Sequence, residues 1–556
     1  MAGAVNDGEA AALNVGYARF EAMGGPMRTI ATLMTVLLLA ACGGGGGGGS
    51  SGGGTPPDPV TPGLASTGCG RYQGVDRGTT WSFLGIRYAA APTGALRWKS
   101  PTAPACPAEV VQAASFPSAC PQFNQSTGTV VGNEDCLALN VYTPKSGFPS
   151  GRAPVMVFIH GGGNSQGSTS ELVGDAPLYD GSAFAAATGR VIVTVQYRLG
   201  PLGWLVRPGL DTEAPDARSG NYGLEDLVAS LQWVRREIAA FGGDPDRVMI
   251  FGESAGGVNV CTLLASPASA GLFHSALIQS GGCVANTRDK ALTAGATLSD
   301  AVGCSTAADE VACLRGKTAA ELILAVPPVV SVTGGQPPYQ PNADGTLLPG
   351  MPLEVIVAGQ HNRVPVVIGS NADETGRETP IVYSDADYAA FLTTTFVNPM
   401  VRSMVEERYS AARFGSARAA FVALTSDAKF TCPARRIARA LSASQTEPVY
   451  RYFFTEVPDG ASSALFGAFH GLELAYLFGV MNVAGYTPTA AETTLSGRMQ
   501  QYWGSFAAGA PQAAGAPTWT EYDPSHDNHL VLDADALGMG EGVRTADCDF
   551  WESLGV

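Results

Sequence analysis

The hexapeptide Gly252-Glu253-Ser254-Ala255-Gly256-Gly257 constrains this chain more than any other stretch. It follows the apolar run Val248–Phe251 and precedes the helix-compatible run Val258–Leu264. Strand, glycine-bracketed serine, helix is the context that gives G-x-S-x-G its meaning. The serine sits on a sharp, strained turn, so its neighbours must lack bulk and tolerate unusual φ/ψ. The helix that follows aims its free N–H groups at the serine's surroundings and favours negative charge developing there. Ser254 is therefore expected to be an activated nucleophile.

The surrounding pattern predicts the scaffold such a turn needs. Pro154–Ile159 and Val191–Tyr197 are short, nearly all apolar and bounded by glycine, as buried strands are. Asp226–Phe241 has apolar residues at helical spacing and stops at Gly242-Gly243, a C-cap signal. Phe273–Gln279, Val364–Gly369 and Val449–Phe454 are further strand candidates. Strands alternating with helices predict an α/β fold, with a large, mostly parallel sheet covered on both faces. Reactive groups then gather at the carboxyl ends of the strands, where the serine turn lies.

A nucleophilic serine needs a base, an orienting acid and an oxyanion hole. In an α/β-hydrolase the order along the chain is serine, acid, histidine. Of the six histidines, His160 precedes Ser254, while His274 and His361 leave little room for an intervening acid. His526 and His529 lie in a polar segment with the composition of a surface turn. His470, in Gly467-Ala-Phe-His-Gly-Leu-Glu473 after the strand Val449–Phe454, is the better base. Asp373 and Glu374 follow the strand Val364–Gly369, and spacing does not choose between them. His160-Gly161-Gly162-Gly163 follows the strand Pro154–Ile159; consecutive glycines let backbone N–H groups approach a substrate oxygen. Groups spread from position 160 to position 470 must meet within one site, so residues 65–556 are expected to form one catalytic domain with long loop insertions.

Net charge and the N-terminal region bear on partners and location. A charge of −16, from 33 basic and 49 acidic residues, argues against nucleic acid and anionic membrane surfaces as partners. Met27-Arg28 leads into the apolar run Ile30–Ala41, shorter than the ~20 residues that span a bilayer. The run ends in Leu39-Ala40-Ala41-Cys42, which resembles a bacterial lipoprotein signal whose cysteine is lipidated. Residues 1–42 are thus read as a signal segment, with Met27 a better start than Met1 because residues 1–26 carry Asp7, Glu9 and Glu21. Residues 43–64, rich in Gly, Ser and Pro, are expected to be a disordered tether with a reach of ~25 Å. The expected location is the bacterial cell envelope, lipid-anchored to a membrane and facing either the periplasm or the exterior. Export would place ten of the eleven cysteines in an oxidising compartment. Cys120 with Cys136, and Cys304 with Cys313, are near enough in sequence to close short loops, though counting does not fix connectivity. No C-x-x-C or histidine-rich cluster suggests a metal.

The ordered motifs resemble those of the type-B carboxylesterases, the cholinesterase-like branch of the α/β-hydrolases. The resemblance runs from Cys69 to Trp551. It includes Phe83–Tyr88 with Leu96–Trp98, Asn133–Asn140, the His160 glycine loop, Gly220–Asp226, Leu231–Trp233 and Phe241–Pro245. It continues through the Ser254 turn, Gln279–Gly281, Val364 to Glu374, and His470–Glu473. It implies a serine hydrolase of carboxylic esters that needs no cofactor. The triad would be Ser254, His470 and Glu374, with oxyanion donors at Gly162, Gly163 and Ala255 and a supporting serine at Ser280. It also implies disulfides Cys120–Cys136, Cys304–Cys313 and Cys432–Cys548. An additional Cys69–Cys106 pair is open, and Cys261 and Cys283 are left unassigned. Three positions depart from the family pattern: Asn164 replaces an aromatic after the glycine loop, and Arg87 and Ala91 replace prolines. The segment between Cys120 and Cys136 also lacks the tryptophan that in cholinesterases faces the choline cation, a contact of ~1–2 kcal/mol. A general carboxylesterase is therefore expected rather than a cholinesterase. The alternatives are a narrower amidase, lipase, or xenobiotic or polyester-fragment esterase, and a non-catalytic binding or adhesion relative. The latter would lack the complete set Ser254, Glu374 and His470.

Overall fold

The buried strands alternate their side chains between two cores. Along Ala153–Ile159, Val155, Val157 and Ile159 enter one apolar cluster, and Met156 and Phe158 enter the other. Such a strand is apolar throughout because both its faces are covered. The computed structural model describes residues 61–555 apart from 329, 336, 461–464 and 484. The signal segment, Cys42 and most of the expected tether lie outside the described residues.

Eleven strands form one large sheet. In chain order they are β1 (Val75–Asp76), β2 (Thr80–Arg87), β3 (Ala138–Pro144), β4 (Ala153–Ile159), β5 (Val191–Val195) and β6 (Gly243–Glu253). They continue with β7 (Ser275–Gln279), β8 (Val366–Asn371), β9 (Val449–Phe454), β10 (His529–Leu532) and β11 (Gly538–Gly540). Their spatial order is β11-β10-β9-β8-β7-β6-β4-β5-β3-β2-β1. From β5 to β10 neighbouring strands are parallel, and the edges are antiparallel. The sheet is thus mostly parallel and flanked by helices, the α/β-hydrolase arrangement.

Several boundaries differ from the sequence expectation. Helix α1 is Tyr222–Glu237, its start four residues earlier than periodicity suggests. Its continuation Ile238–Phe241 tightens to 3₁₀ and stops at Gly242, whose φ of 79° is the left-handed C-cap. Leu64 already pairs with Gln73 across a small antiparallel ladder, so the expected tether ends before residue 64. Helices α2 (Ala255–Ala265) and α3 (Cys432–Ser444) pack on the face that includes Val157 and Ile250. Helix α4 (Leu472–Phe478) packs on the opposite face, where Phe478 meets Phe158.

Candidate active site

Strand β6 ends at Glu253 and α2 begins at Ala255, so Ser254 alone makes the turn. Its φ of 57° and ψ of −124° are strained for a side chain with a Cβ. The turn needs small neighbours: a Cβ on Gly256 would lie 2.0 Å from the carbonyl oxygen of Ile159. Ser254 N–H donates to Gln279 O at 2.9 Å, tying the turn to the end of β7. Ile159 is paired with Gly252, so the glycine loop after β4 emerges beside the serine. A Cβ on Gly161 would come within 3.0 Å of Ser254 Cβ.

The loop itself is a tight turn in which Gly162 O accepts from Ser165 and Gln166 N–H at 3.1 and 2.9 Å. Among the described residues, the N–H groups of Gly162, Gly163 and Ala255 find no hydrogen-bond acceptor. They come from the two segments that flank Ser254.

His470 reaches the site from the loop before α4. Its Nδ1 is 2.6 Å from Glu374 Oε2, and its N–H donates to Glu374 O at 3.1 Å. Glu374 is fully buried, and its other oxygen accepts from Asn371 N–H at 2.8 Å. Asp373 faces away and accepts from Ala468 N–H. Of the two carboxylates, Glu374 is the one that meets the His470 ring. The ring of Phe430 lies 4.9 Å from the imidazole centroid and covers it.

Sequence reasoning missed two buried carboxylates. Glu253 Oε1 lies 3.1 Å from His470 Nε2, off the direction of a hydrogen bond, and among the described residues neither atom has a hydrogen-bond partner. Glu473 accepts from Gln279 Nε2 at 3.1 Å and from Asn371 Nδ2 at 2.6 Å. The only signal for them was position: one precedes the serine, and the other follows His470 by three residues.

These charges set the protonation of the site. Burial pushes His470 down, but Glu253 and then Glu374 outweigh it and hold the imidazole up at about 10. Burial raises Glu253 to about 8; His470 opposes the rise, and Glu473 and Glu374 add to it. Burial, with Glu374 next, raises Glu473 to about 7. His160 is the opposite case: burial drives it down to about 4, so it is neutral and stacks on Tyr197.

The remaining expected residues divide. Ser280 is buried at the end of β7, and among the described residues its hydroxyl makes no hydrogen bond that would hold Glu374. Asn371 makes one, through its backbone N–H. The disulfides Cys120–Cys136, Cys304–Cys313 and Cys432–Cys548 are formed, and so is Cys69–Cys106. Cys261, on α2, is bonded to Cys283, just beyond β7. His526 is exposed, but His529 is buried in β10 rather than placed on the surface. Among the described residues, no group of three or more His, Cys, Asp or Glu side chains is placed to hold a metal.

A strand–serine–helix turn beside a glycine loop, with a histidine and a buried acid at the same end of the sheet, defines an α/β-hydrolase. Residues 63–551 match the Carboxylesterase family, and the chain belongs to it. It is 33% identical over 510 residues to human cocaine esterase, covering 85% of this chain and 86% of that one. It is equally identical over 493 residues to para-nitrobenzyl esterase of Bacillus subtilis (strain 168), covering 86% and 96%. Fumonisin B1 esterase of Sphingopyxis macrogoltabida is also 33% identical, over 496 residues, covering 86% and 87%. The protein is a carboxylic ester hydrolase.

Proposed function

We propose that ester hydrolysis proceeds through an acyl-enzyme on Ser254, with His470 as base and Glu374 as its orienting acid. Nε2 of His470 takes the hydroxyl proton as Oγ bonds to the ester carbonyl carbon. The carbonyl oxygen becomes negative and is held by the N–H groups of Gly162, Gly163 and Ala255. Glu374 keeps Nδ1 protonated and stabilises the imidazolium. As the ester C–O bond breaks, Nε2 returns the proton to the leaving alcohol. A water then attacks the acyl carbon by the same route and frees Ser254.

The carrying observations are the His470–Glu374 hydrogen bond and, among the described residues, three backbone donors without acceptors in the segments next to the serine. The loop between Cys120 and Cys136 offers no tryptophan to a choline cation, which favours a general carboxylesterase. Export and lipidation at Cys42 belong to the same proposal, supported by the apolar run ending in Leu39-Ala40-Ala41-Cys42. Hydrolysis of a short-chain aryl ester by Ser254→Ala tests the mechanism. Activity is expected to fall to background; full retention would exclude Ser254 as nucleophile.

A further inference from the structure

Asn164, the departure from the family pattern beside the glycine loop, is fully buried with a φ of 55°. Its side chain is bonded at both ends. Oδ1 accepts from Asn259 Nδ2 at 2.8 Å, and Nδ2 donates to Gln340 Oε1 at 3.1 Å. Gln340 Nε2 in turn donates to Gly163 O at 3.1 Å. Asn164's own carbonyl accepts from Gly200 N–H at 2.7 Å. Asn259 is also fully buried, and Gln340 is 5% exposed.

The polarity of this chain of amides is determined by its end. A backbone carbonyl only accepts, so Gln340 must turn its NH₂ to Gly163 and its oxygen to Asn164. Asn164 must then turn its oxygen to Asn259. The leftover acceptor, Asn259 Oδ1, is the one without a partner. One arrangement satisfies every link, and low dielectric strengthens it.

The network joins the two halves of the oxyanion hole. Asn259 lies one helical turn beyond Ala255 on α2, and Gly163 belongs to the loop after β4. We infer that Asn259, Asn164 and Gln340 are positioning residues that set the distance between the Ala255 N–H and the Gly162 and Gly163 N–H groups. This inference rests on the proposed oxyanion role of those groups. None of the three side chains is assigned contact with the reacting atoms. They act through the backbone, in a loop whose left-handed turns would otherwise have other conformations available.

The test compares Asn259→Ala and Gln340→Met with the parent, Gln340→Met keeping volume while removing the donor to Gly163. For a neutral aryl ester, kcat is expected to fall by about 10–100-fold, the scale of a displaced oxyanion donor and less than the about 100–1000-fold of one removed outright, with KM changing less than about threefold. Binding of a trifluoromethyl ketone, which mimics the oxyanion, should weaken by the same factor as kcat/KM. An organophosphonate should still label Ser254 to completion in both variants. If Asn259→Ala fails to fold, Gln340→Met decides. A kcat within about twofold of the parent, or a change confined to KM, would overturn the inference. Loss of labelling at Ser254 in the parent protein would instead overturn the nucleophile assignment on which it rests.

Discussion

Replacing Glu253 by Gln removes a negative charge 3.1 Å from His470 Nε2 while keeping the shape of the side chain. A carboxylate and an imidazolium at that distance attract by about 1.3 kcal/mol at the dielectric of water and about 5 kcal/mol at an effective value of 20. One pH unit corresponds to about 1.4 kcal/mol, so the charge alone holds His470 up by about one to four units. Burial also lifts Glu253, to about 8, so below that pH its carboxyl carries only part of a charge, and the two groups titrate as a pair. A charge that is only partly present puts the expected shift at the low end, about one to two units. The sign follows from the mechanism. As the proposed base, His470 would act only when neutral, and its raised pKa keeps it protonated to higher pH. Activity is therefore lost as pH falls through that value. Without the Glu253 charge the burial that opposes protonation remains, and the acidic limb moves to lower pH. The assay is kcat/KM for a neutral aryl ester from about pH 6 to about pH 11, which spans the limb and reports the free enzyme. A limb that stays within about 0.3 unit of the parent, or moves up, would refute the assigned coupling.

Glu374→Gln is expected to lower kcat by about 10⁴-fold with little change in KM, because the imidazole loses both its fixed tautomer and its counter-charge; steady-state kinetics reads this directly. Replacing Cys432 and Cys548 together by Ser opens a link spanning 116 residues. The expected loss is about 5 kcal/mol of stability, read from the urea midpoint. Cys42→Ala is expected to release the protein from membranes into the soluble fraction, and unchanged membrane association would count against lipidation.

How much of this site could be read from the sequence depends on how local each requirement is. The Ser254 turn and the glycine loop were legible because backbone geometry there excludes side chains, and the exclusion leaves runs of glycine. The strands were legible because burial on both faces leaves no polar residue in Val155–Ile159. Asp373 and Glu374 were not separable by spacing, since adjacent residues in that loop point to different partners, Ala468 and His470. The Gln340 contact was invisible, because Asn164 meets it across 176 residues. Glu473 was hidden in the same way: it meets Gln279 from 194 residues away. The family pattern supplied a role for the Ser280 hydroxyl; among the described residues that hydroxyl has no hydrogen-bond partner.

In the proposed mechanism Ser254 carries the acyl group. Intact-protein and peptide mass spectrometry after reaction with an aryl organophosphonate tests it most directly. One adduct per chain is predicted, on the peptide containing Gly252–Gly257, absent from Ser254→Ala and accompanied by complete loss of esterase activity. An active protein that carries no adduct, or an inactivating adduct at another residue, would contradict the account.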